Sequence, residues 1–481
     1  LVYLSLLPAR FDRRDRGGGR LELGHDREGI GFELFGLRFC ESLAAERTTV
    51  LVFEDLHWAD PALLAFLEHL ADWAEGVPLL LLCTARPELY ESHATFGVDA
   101  RNAQRVNLVP LTDTETAQLV SALLERAVLP VETQQQLLEQ AGGNPLYAEE
   151  FVRLLADRGG LGDEPEVPES VQALIAARLD TLPPERKALL QDASVLGKVF
   201  WAGALAAMGD RGPAEVEQAL HELARKELVR PARTSSMEGE REYAFWHVLV
   251  RDVCYGQIPR LARAGRHKAA AAWLEEQSGE RVEDLADVLA YHYQSALELT
   301  QAAGGGETEE LQAQAVRYLG MAGARTLTLD VDRAAEQLSR ALELAPADDP
   351  MRATLLERWG NAVQQQGRLE SAREVLEQAL VLYRAQNDQL GMGRVLTRLG
   401  NITHRLGDPR AMEFLTEAIE VLEAQPAGPE LLSAYTYAAG RGLFTDDMPS
   451  VLKGSERVLA LAAELGLPEP AFALSFRGLA R

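Results

Sequence analysis

The first part of the chain alternates short apolar runs with amphipathic segments. Residues 49–53 (TVLVF) and 79–83 (LLLLC) are continuous apolar runs followed at once by polar residues, which predicts parallel strands buried on both faces. Asp60 and Pro61 open a leucine-rich segment at helical spacing, as an N-cap and a first-turn proline do. A third short strand is predicted at 105–111. Helical patterns occupy residues 31–46, 61–73, 112–125 and 131–140. Strands that alternate with helices predict a parallel sheet.

After an acidic, Gly- and Pro-containing stretch at 158–168, which predicts a linker, the pattern becomes mainly helical. Three helical patterns and two short strand patterns predict a winged-helix-like domain over residues 169–264. These patterns lie at 171–179, 183–196, 214–226, 228–231 and 242–245. The helix from Ala214 carries Glu215 and Glu217, an unfavourable face against nucleic-acid phosphates, so we interpret the domain as an internal interaction module.

An internal repeat follows a helical connector at 265–306. Three residues recur with offsets of 38 and then 39 positions: Ala334, Leu338 and Ala341; Ala372, Leu376 and Ala379; Ala411, Leu415 and Ala418. Small residues at these positions let paired helices approach closely, and Gly367 and Gly407 lie in the expected turns. Residues 307–481 are therefore predicted to form an α-solenoid of tetratricopeptide-like hairpins whose concave surface binds a protein partner, with self-association as a further option.

Composition and charge narrow the classes of function. The 481 residues carry a formal net charge of -25, which argues against broad nucleic-acid binding by this portion and against binding to anionic membranes. Three distant cysteines, Cys40, Cys83 and Cys254, suggest neither a disulfide framework nor a thiolate metal site, and each is expected to be a small buried residue. No apolar run reaches membrane-spanning length. We expect a cytoplasmic protein.

Two carboxylates, Glu54 and Asp55, follow the first apolar run directly. Open α/β sheets bind ligands at the carboxyl ends of their strands, and in nucleoside-triphosphatases such an acidic strand end holds Mg²⁺ and orients the attacking water. An ordinary strand that runs into a polar turn explains the same pattern. Arg86 follows the second run and is interpreted either as a phosphate contact or as an ion-pair partner of Glu54 or Glu88.

Three motifs in register carry a family resemblance: VLVFEDLHWADPALLAFLEHL, LLLLCTARPEL and AGGNPLYAEEFVRLL. Together they resemble the ATPase core of STAND-type signalling proteins of the AAA+ superfamily, here over residues 29–157. The resemblance implies that Glu54 is the Mg²⁺-associated acid, Asp55 the catalytic acid and Arg86 the sensor arginine. It also implies that Pro145 packs near the nucleotide base. A turn that opens a helix explains residues 142–145 equally well.

The segment AFWHVLVRDVCYGQIP resembles the part of STAND proteins in which a histidine senses the diphosphate of ADP, and His247 holds that position. Val248 replaces the acid that often follows it in animal and plant relatives. The alternative is that His247 caps a helix or packs locally.

The nucleotide chemistry implied by the resemblance is ATP or ADP with Mg²⁺, yet the expected P-loop is missing. No Gly-x-x-x-x-Gly-Lys sequence precedes the acidic strand, since the first lysine is Lys187, and the glycines at 17–19 are followed by Arg20. Without these amides and the lysine, the phosphates lose their main electrostatic partners. We predict weak or absent ATP binding and doubtful ATPase activity in this chain.

The predicted fold class is multidomain and mostly α, with a partial α/β P-loop-type ATPase core, a winged-helix-like domain and an α-solenoid. Residues 1–28 are expected to be poorly ordered, and the chain is expected to be a fragment truncated at both ends. It resembles the regulatory portion of bacterial adenylate or guanylate cyclase-linked signalling proteins, although no cyclase catalytic pattern is present. The alternatives are the regulatory part of a large LuxR-type transcription regulator and a tetratricopeptide scaffold that binds no nucleotide.

Overall fold

The computed structural model describes residues 36, 38–45, 47–73, 76–97, 103–124, 129–158, 167–306, 308–441 and 448–479. They divide into two compact units, one through Gln257 and one from Ile258. Two of the sequence predictions lie largely outside the described residues: the segment 1–28, and the linker, of which 159–166 is not described.

Two parallel strands form the first sheet of the N-terminal unit. Strand β1 (Thr49–Phe53) pairs with β2 (Leu79–Cys83), so the predicted parallel pairing is confirmed. The elements around them are helix α1, described over 38–45, a 3₁₀ turn (Leu56–Trp58), α2 (Pro61–Trp73) and α3 (Leu89–Ser92). The Oδ1 atom of Asp60 accepts a hydrogen bond from the Leu63 N–H at 2.7 Å, which confirms Asp60 as the N-cap of α2.

Two predictions about this sheet are wrong. The strands are buried on one face only: Leu51 packs against Cys40 and Leu70, whereas Val50 and Leu80 are 48% and 56% exposed. The predicted strand at 105–111 is absent, because residues 103–112 are described without strand pairing. Val106, Leu108 and Val109 are 71%, 93% and 81% exposed there, so these three apolar side chains gain little from burial.

Three helices with their own core follow. They are α4 (Asp113–Leu124) and α5 (Val131–Ala141), close to their predicted bounds, and α6 (Pro145–Asp157), of which only the opening turn was considered in the sequence. Thr112 and Glu115 form a reciprocal capping box at the start of α4, in which the Thr112 N–H donates to the Glu115 carboxylate at 2.8 Å and the Glu115 N–H donates to the Thr112 hydroxyl at 3.3 Å. Tyr147, Phe151 and Leu154 on α6 are almost fully buried in this core.

The remainder of the first unit joins five helices to a three-stranded antiparallel sheet. The elements are α7 (Val171–Asp180), α8 (Pro184–Leu196), β3 (Val199–Trp201), α9 (Ala202–Gly209), α10 (Pro213–Arg225), β4 (Val229–Pro231), β5 (Glu242–Phe245) and α11 (Val248–Gly256). The strand order is β3-β5-β4, and Phe200 and Phe245 lie in the core beneath it. The three predicted helices and two predicted strands are present. Strand β3 and helix α9 were not predicted, because a three-residue strand is too short to show a period.

The second unit consists of helices. They are α12 (Arg260–Ser278), a 3₁₀ segment (Gly279–Leu285), α13 (Ala286–Ala302), α14 (Glu309–Thr326), α15 (Val331–Leu344), α16 (Arg352–Gln365), α17 (Leu369–Gln386), α18 (Gln389–Arg405), α19 (Ala411–Glu423), α20 (Pro429–Arg441), α21 (Met448–Glu464) and α22 (Ala471–Leu479). Helix α12 is continuous across residues 264 and 265, where a domain boundary was predicted. No helix among the described residues has both the length and the apolar character that a membrane crossing requires.

Helical hairpins of tetratricopeptide type stack along this second unit, as the repeat predicted. The recurring Ala and Leu residues of α15, α17 and α19 are all buried at 2% exposure or less. Each recurring leucine packs against a helix glycine so closely that a Cβ on that glycine would lie 2.6–2.7 Å from the leucine Cγ. These pairs are Gly323 with Leu338, Gly360 with Leu376, and Gly400 with Leu415. The glycines therefore set the distance between paired helices.

Candidate functional site: the sheet edge and the histidine cap

The carboxyl ends of β1 and β2 are tied together by Thr84. The Thr84 N–H donates to the Phe53 carbonyl at 2.9 Å, and its hydroxyl accepts a hydrogen bond from the Asp55 N–H at 3.2 Å. The Leu56 N–H donates to the Thr84 carbonyl at 2.9 Å. These bonds hold the predicted acids on the same sheet edge as the segment that carries Arg86.

Glu54 forms an ion pair that sequence reasoning missed. Its Oε2 atom accepts a hydrogen bond from the Lys198 Nζ at 3.2 Å, across 144 positions of sequence. Lys198 lies between α8 and β3, so this contact joins the acidic sheet edge to the antiparallel part of the unit. The two side chains are 39% and 26% exposed, so solvent screens the pair and its contribution to stability is small, about 0–1 kcal/mol.

Asp55 has a left-handed backbone conformation with φ 61° and ψ 41°. Aspartate tolerates this region better than most residues, but the conformation still carries a cost of about 1 kcal/mol. Its side chain makes no capping hydrogen bond to the 3₁₀ turn that it precedes. Left-handed backbone at a residue other than glycine is concentrated at functional sites, so this conformation is consistent with the predicted role of Asp55.

His247 caps helix α11. Its Nδ1 atom accepts a hydrogen bond from the Leu249 N–H at 3.1 Å, which places the proton of the neutral ring on Nε2. Burial lowers the pKa of His247, and nearby Lys198 acts in the same direction, while the carboxylates of Glu150 and Asp55 oppose them. The structure therefore brings both Asp55 and Lys198 within electrostatic range of His247, and Lys198 also contacts Glu54.

The other two predicted site residues are Arg86 and Pro145. Arg86 is exposed, and among the described residues its side chain has no ion pair, so the predicted pairing with Glu54 or Glu88 is absent. Pro145 is the first residue of α6, and the Asn144 side chain caps that helix by accepting from the Leu146 N–H at 3.0 Å. The turn interpretation of this motif is thus sufficient for its local structure.

A buried charge network anchors α6 behind this site. Glu150 and Arg178 are each 1% exposed and form an ion pair of 2.6 Å, and Arg178 also donates to Asp157 at 3.0 Å. Arg153 donates to Glu150 at 2.8 Å and to Glu227 at 2.7 Å. Because each buried charge is paired, the network fixes α6 against α7 and the turn before β4 rather than leaving an isolated charge. Glu150 is also one of the groups that act on His247.

Sequence reasoning missed Lys198 and Glu150, because the residues around them in the sequence do not indicate a site. Glu150 lies within the AGGNPLYAEEFVRLL motif but looks like a surface acid of a helix, and its burial depends on Arg178, 28 positions away. Lys198 is unusual only as one of few lysines in an arginine-rich chain. Both contacts are long-range, so no periodicity could reveal them.

The structure also shows which of the cysteines and histidines are buried. Cys40 and Cys254 are buried as predicted, but Cys83 is exposed, so that part of the prediction is wrong. His292 is also buried, and its Nδ1 lies 2.9 Å from Nδ1 of the equally buried His267 on the neighbouring helix. Within the described ranges, no group of three or more His, Cys, Asp or Glu side chains could hold a metal ion.

Comparisons with known proteins identify the repeats. The tetratricopeptide repeat family model matches residues 351–424. An uncharacterised protein of Rhizobium meliloti (strain 1021) is 25% identical over 274 residues, which cover 54% of this chain and 26% of that protein. The chain thus spans about a quarter of the length of that curated relative.

The crystal structure of a Signal Transduction ATPase with Numerous Domains (STAND) protein with a tetratricopeptide repeat sensor, from Pyrococcus horikoshii, aligns over 94% of this chain and 73% of its own. The identity is 15% and the TM-score 0.35, a score too low to establish a common fold. What the comparisons establish is that residues 351–424 of this mostly helical chain are tetratricopeptide repeats.

Proposed function

We propose that this chain is the regulatory part of a STAND-type signal-transduction protein, in which tetratricopeptide repeats bind a protein partner and the N-terminal unit responds to nucleotide. The observation that carries the nucleotide half is the convergence of Glu54, Asp55, Lys198 and His247 from three separate segments of the first unit. The match to the repeat family over 351–424 supports the scaffold half. The residues of the first unit then correspond to a partial ATPase core followed by a winged-helix-like domain.

The side chains present fit a magnesium-bound diphosphate in part. Carboxylate oxygens suit Mg²⁺, and Glu54 would coordinate it in exchange for Lys198. The released Lys198 ammonium and the Nε2–H of His247 would then serve as donors to phosphate oxygens. When bound, the metal would neutralise phosphate charge; Asp55 would orient water near it. No P-loop lysine is present to add to these contacts, so binding is expected to be weak.

The choice between two classes of signalling protein rests on the residues of the core motifs. The core motifs resemble those of cyclase-linked bacterial signalling proteins more than those of large LuxR-type transcription regulators. A different class of function, a scaffold that binds no nucleotide, is favoured by one observation: Lys198 already neutralises Glu54 without any ligand.

Nucleotide titration separates the switch from the scaffold. We expect ADP to bind the chain more weakly than micromolar, and we expect Lys198→Met to weaken binding about tenfold further, because a charge-assisted contact is lost. Calorimetry together with ligand-observed NMR measures both. Lys268→Met is the matched control, since Lys268 also forms a surface ion pair, with Glu310, but lies in the second unit.

Three results of this titration would contradict part of the proposal. Equal ADP binding by the chain and by Lys198→Met would remove the proposed role of Lys198. No interaction with ADP or MgATP would leave the scaffold function. Tight MgATP binding with turnover would contradict the prediction of weak binding, and loss of that turnover in Asp55→Asn would assign the activity to this site.

A further inference from the structure

Arg153 on α6 contacts carboxylates on two separate segments of the first unit. Its guanidinium donates to Glu150 at 2.8 Å and to Glu227 at 2.7 Å, and it lies 3.4 Å from the Glu149 carboxylate. Glu150 is already paired through its other oxygen with Arg178, at 2.6 Å. The contact with Glu227 is therefore not needed to neutralise the buried carboxylate of α6, and it joins α6 to a turn 74 positions further along the chain.

Glu227 has a backbone conformation that a glutamate rarely adopts. Its φ is 54°, in the left-handed region. The other non-glycine residues with positive φ in the described part of the chain are Asp55, Asp210 and Asn387, whose short polar side chains suit this region better. Strain of this kind is concentrated at functional sites. What the glutamate supplies at this position is a carboxylate that accepts from Arg153.

The turn at Glu227 is bonded to the residue that precedes His247. The Leu228 carbonyl accepts a hydrogen bond from the Trp246 N–H at 3.0 Å. Trp246 is followed directly by His247, the N-cap of α11. The guanidinium carbon of Arg153 also lies 5.9 Å from the centre of the Trp246 ring, at the outer limit of a cation–π contact. One arginine thus reaches the histidine segment in two ways, through the turn and through the tryptophan ring.

We propose that Arg153 is a positioning residue of the nucleotide site, which holds the segment of His247 at a fixed distance from α6. This inference rests on the proposed function, since it specifies what orients the histidine of the same site. In this role Arg153 acts through Glu227 and Trp246 and not by contact with a nucleotide. Helix α6 begins at Pro145, so holding His247 against α6 also fixes two predicted site residues relative to each other. Ion pairs of guanidinium with carboxylate suit this role, because their geometry is specific.

Arg153 also affects the charge around His247. Burial lowers the pKa of His247, while the Glu150 carboxylate acts in the opposite direction, and Arg153 lies against that carboxylate. Removing the guanidinium would leave Glu150 less neutralised and would favour the protonated ring. The charged groups that act on the ring belong to four segments: Glu150 on α6, Asp55 at the sheet edge, Lys198 before β3 and Asp252 on α11.

Amide hydrogen exchange of the full chain tests the positioning, because it needs no ligand. In Arg153→Met we expect the Trp246 and Leu249 amides to exchange about tenfold faster at about pH 7.5, above the usual titration range of histidine. Both amides donate within the segment that the arginine holds, to the Leu228 carbonyl and to His247 Nδ1. ADP binding, measured by calorimetry and ligand-observed NMR, should weaken about tenfold in the same variant.

The ring titration of His247 separates the charge of Arg153 from its geometry. In Arg153→Met, NMR should show the ring titrating at higher pH than in the parent chain. Arg153→Lys keeps the charge, so the titration should stay near that of the parent chain. A single ammonium cannot reproduce the fork that contacts both Glu150 and Glu227, so the Trp246 amide should still exchange faster.

Two further variants separate positioning from general stability. Arg186→Met is the matched control, because the Arg186 side chain is 21% exposed against 19% for Arg153 and pairs at 2.8 Å with Glu222, which lies within α10 and not in the turn after it. It should leave the Trp246 amide unchanged. Glu227→Asn suits left-handed backbone but lacks the carboxylate, so thermal melting should stay near that of the parent chain while the Trp246 amide exchanges faster. Circular dichroism confirms that each variant is folded.

The possible failures are distinguishable. Unchanged exchange of the Trp246 amide in Arg153→Met, or an equal acceleration in Arg186→Met, would overturn the inference, since Arg153 would then form an ordinary structural ion pair. Faster exchange with ADP binding equal to that of the parent chain would also overturn it, because the position of His247 would not matter to the site. Absence of ADP binding by the parent chain is a different failure: it contradicts the nucleotide half of the proposed function, on which the inference rests, even where the exchange results are as expected.

Discussion

At the scale of single residues, His247 caps a helix through one ring nitrogen and is also a residue of the proposed nucleotide site. Its Nδ1 is committed to the Leu249 N–H, so only the opposite edge of the ring remains for other contacts. The capping interpretation from sequence and the sensing interpretation therefore do not exclude each other. The cap fixes the tautomer and the orientation, as a positioned donor requires.

Acidification should open the start of α11 through His247. Burial lowers the pKa of His247 below its ordinary value, so the unfolded segment binds a proton more readily than the folded one. The stabilisation is therefore complete above about pH 6.5 and declines as the pH falls below it. A protonated ring also cannot accept at Nδ1, so the cap is lost. Hydrogen exchange of α11, corrected for intrinsic rates, measures this opening.

Two variants separate the cap from the titration. His247→Asn keeps an N-cap acceptor that does not titrate, so α11 should stay protected at low pH. His247→Ala should lose about 1 kcal/mol of local stability at every pH. Identical pH profiles for the parent chain and His247→Asn would show that another group governs the opening of this helix.

At the scale of elements, the repeats depend on contacts between one glycine and one leucine. Gly360 on α16 faces Leu376 on α17, and the same pairing recurs one hairpin earlier and one later. A helix would ordinarily gain from replacing glycine, since glycine costs about 1 kcal/mol relative to alanine in a helix interior. Close helix packing opposes that gain, because interiors have no room for an additional methyl group.

Gly360→Ala should destabilise the second unit. The new Cβ would lie 2.7 Å from the Leu376 Cγ, which is not the movable end of that side chain. Overpacking of this kind costs about 1–3 kcal/mol, which exceeds the helix gain of up to about 1 kcal/mol. Urea unfolding of the chain measures the change in free energy.

The matched control lies in the same unit. A Cβ on Gly265 of α12 would meet no atom within 4 Å among the described residues beyond its own stretch of helix, so Gly265→Ala should stabilise by up to about 1 kcal/mol. Opposite signs for the two substitutions are the expected outcome. Stabilisation by both would mean that the helix pair can move apart at low cost.

At the scale of the whole molecule, the net charge affects which classes of macromolecule the chain can bind. The net charge of -25 repels nucleic acid. Two of the acidic side chains of α10 form ion pairs, Glu222 with Arg186 at 2.8 Å and Glu217 with Arg241 at 3.2 Å. Neither pair leaves a surplus of positive charge on this helix.

We therefore predict no measurable binding of the chain to duplex DNA at about 0.15 M salt, where the Debye length is about 8 Å. Fluorescence anisotropy with a labelled duplex of mixed sequence tests this. Binding that weakens steeply as salt rises would contradict the prediction and would favour the transcription-regulator alternative. A flat baseline at low salt as well would strengthen it.

The sequence by itself determined the elements whose periods are long or whose caps are local. The repeat of Ala and Leu at 38 and 39 positions predicted the solenoid, because each hairpin must bury the same face against its neighbours. The sequence also predicted the N-cap at Asp60 and the strands at 49–53 and 79–83, since capping and strand patterns depend on a few neighbouring residues.

Only the tertiary structure decided which predicted residues meet. The sequence named Glu54, Asp55, Arg86, Pro145 and His247 as site residues. It could not show that Lys198 pairs with Glu54, because that contact spans 144 positions. The same holds for the exposed face of the first sheet and for the missing strand at 105–111, since burial depends on neighbours rather than on the hydrophobicity of the run itself.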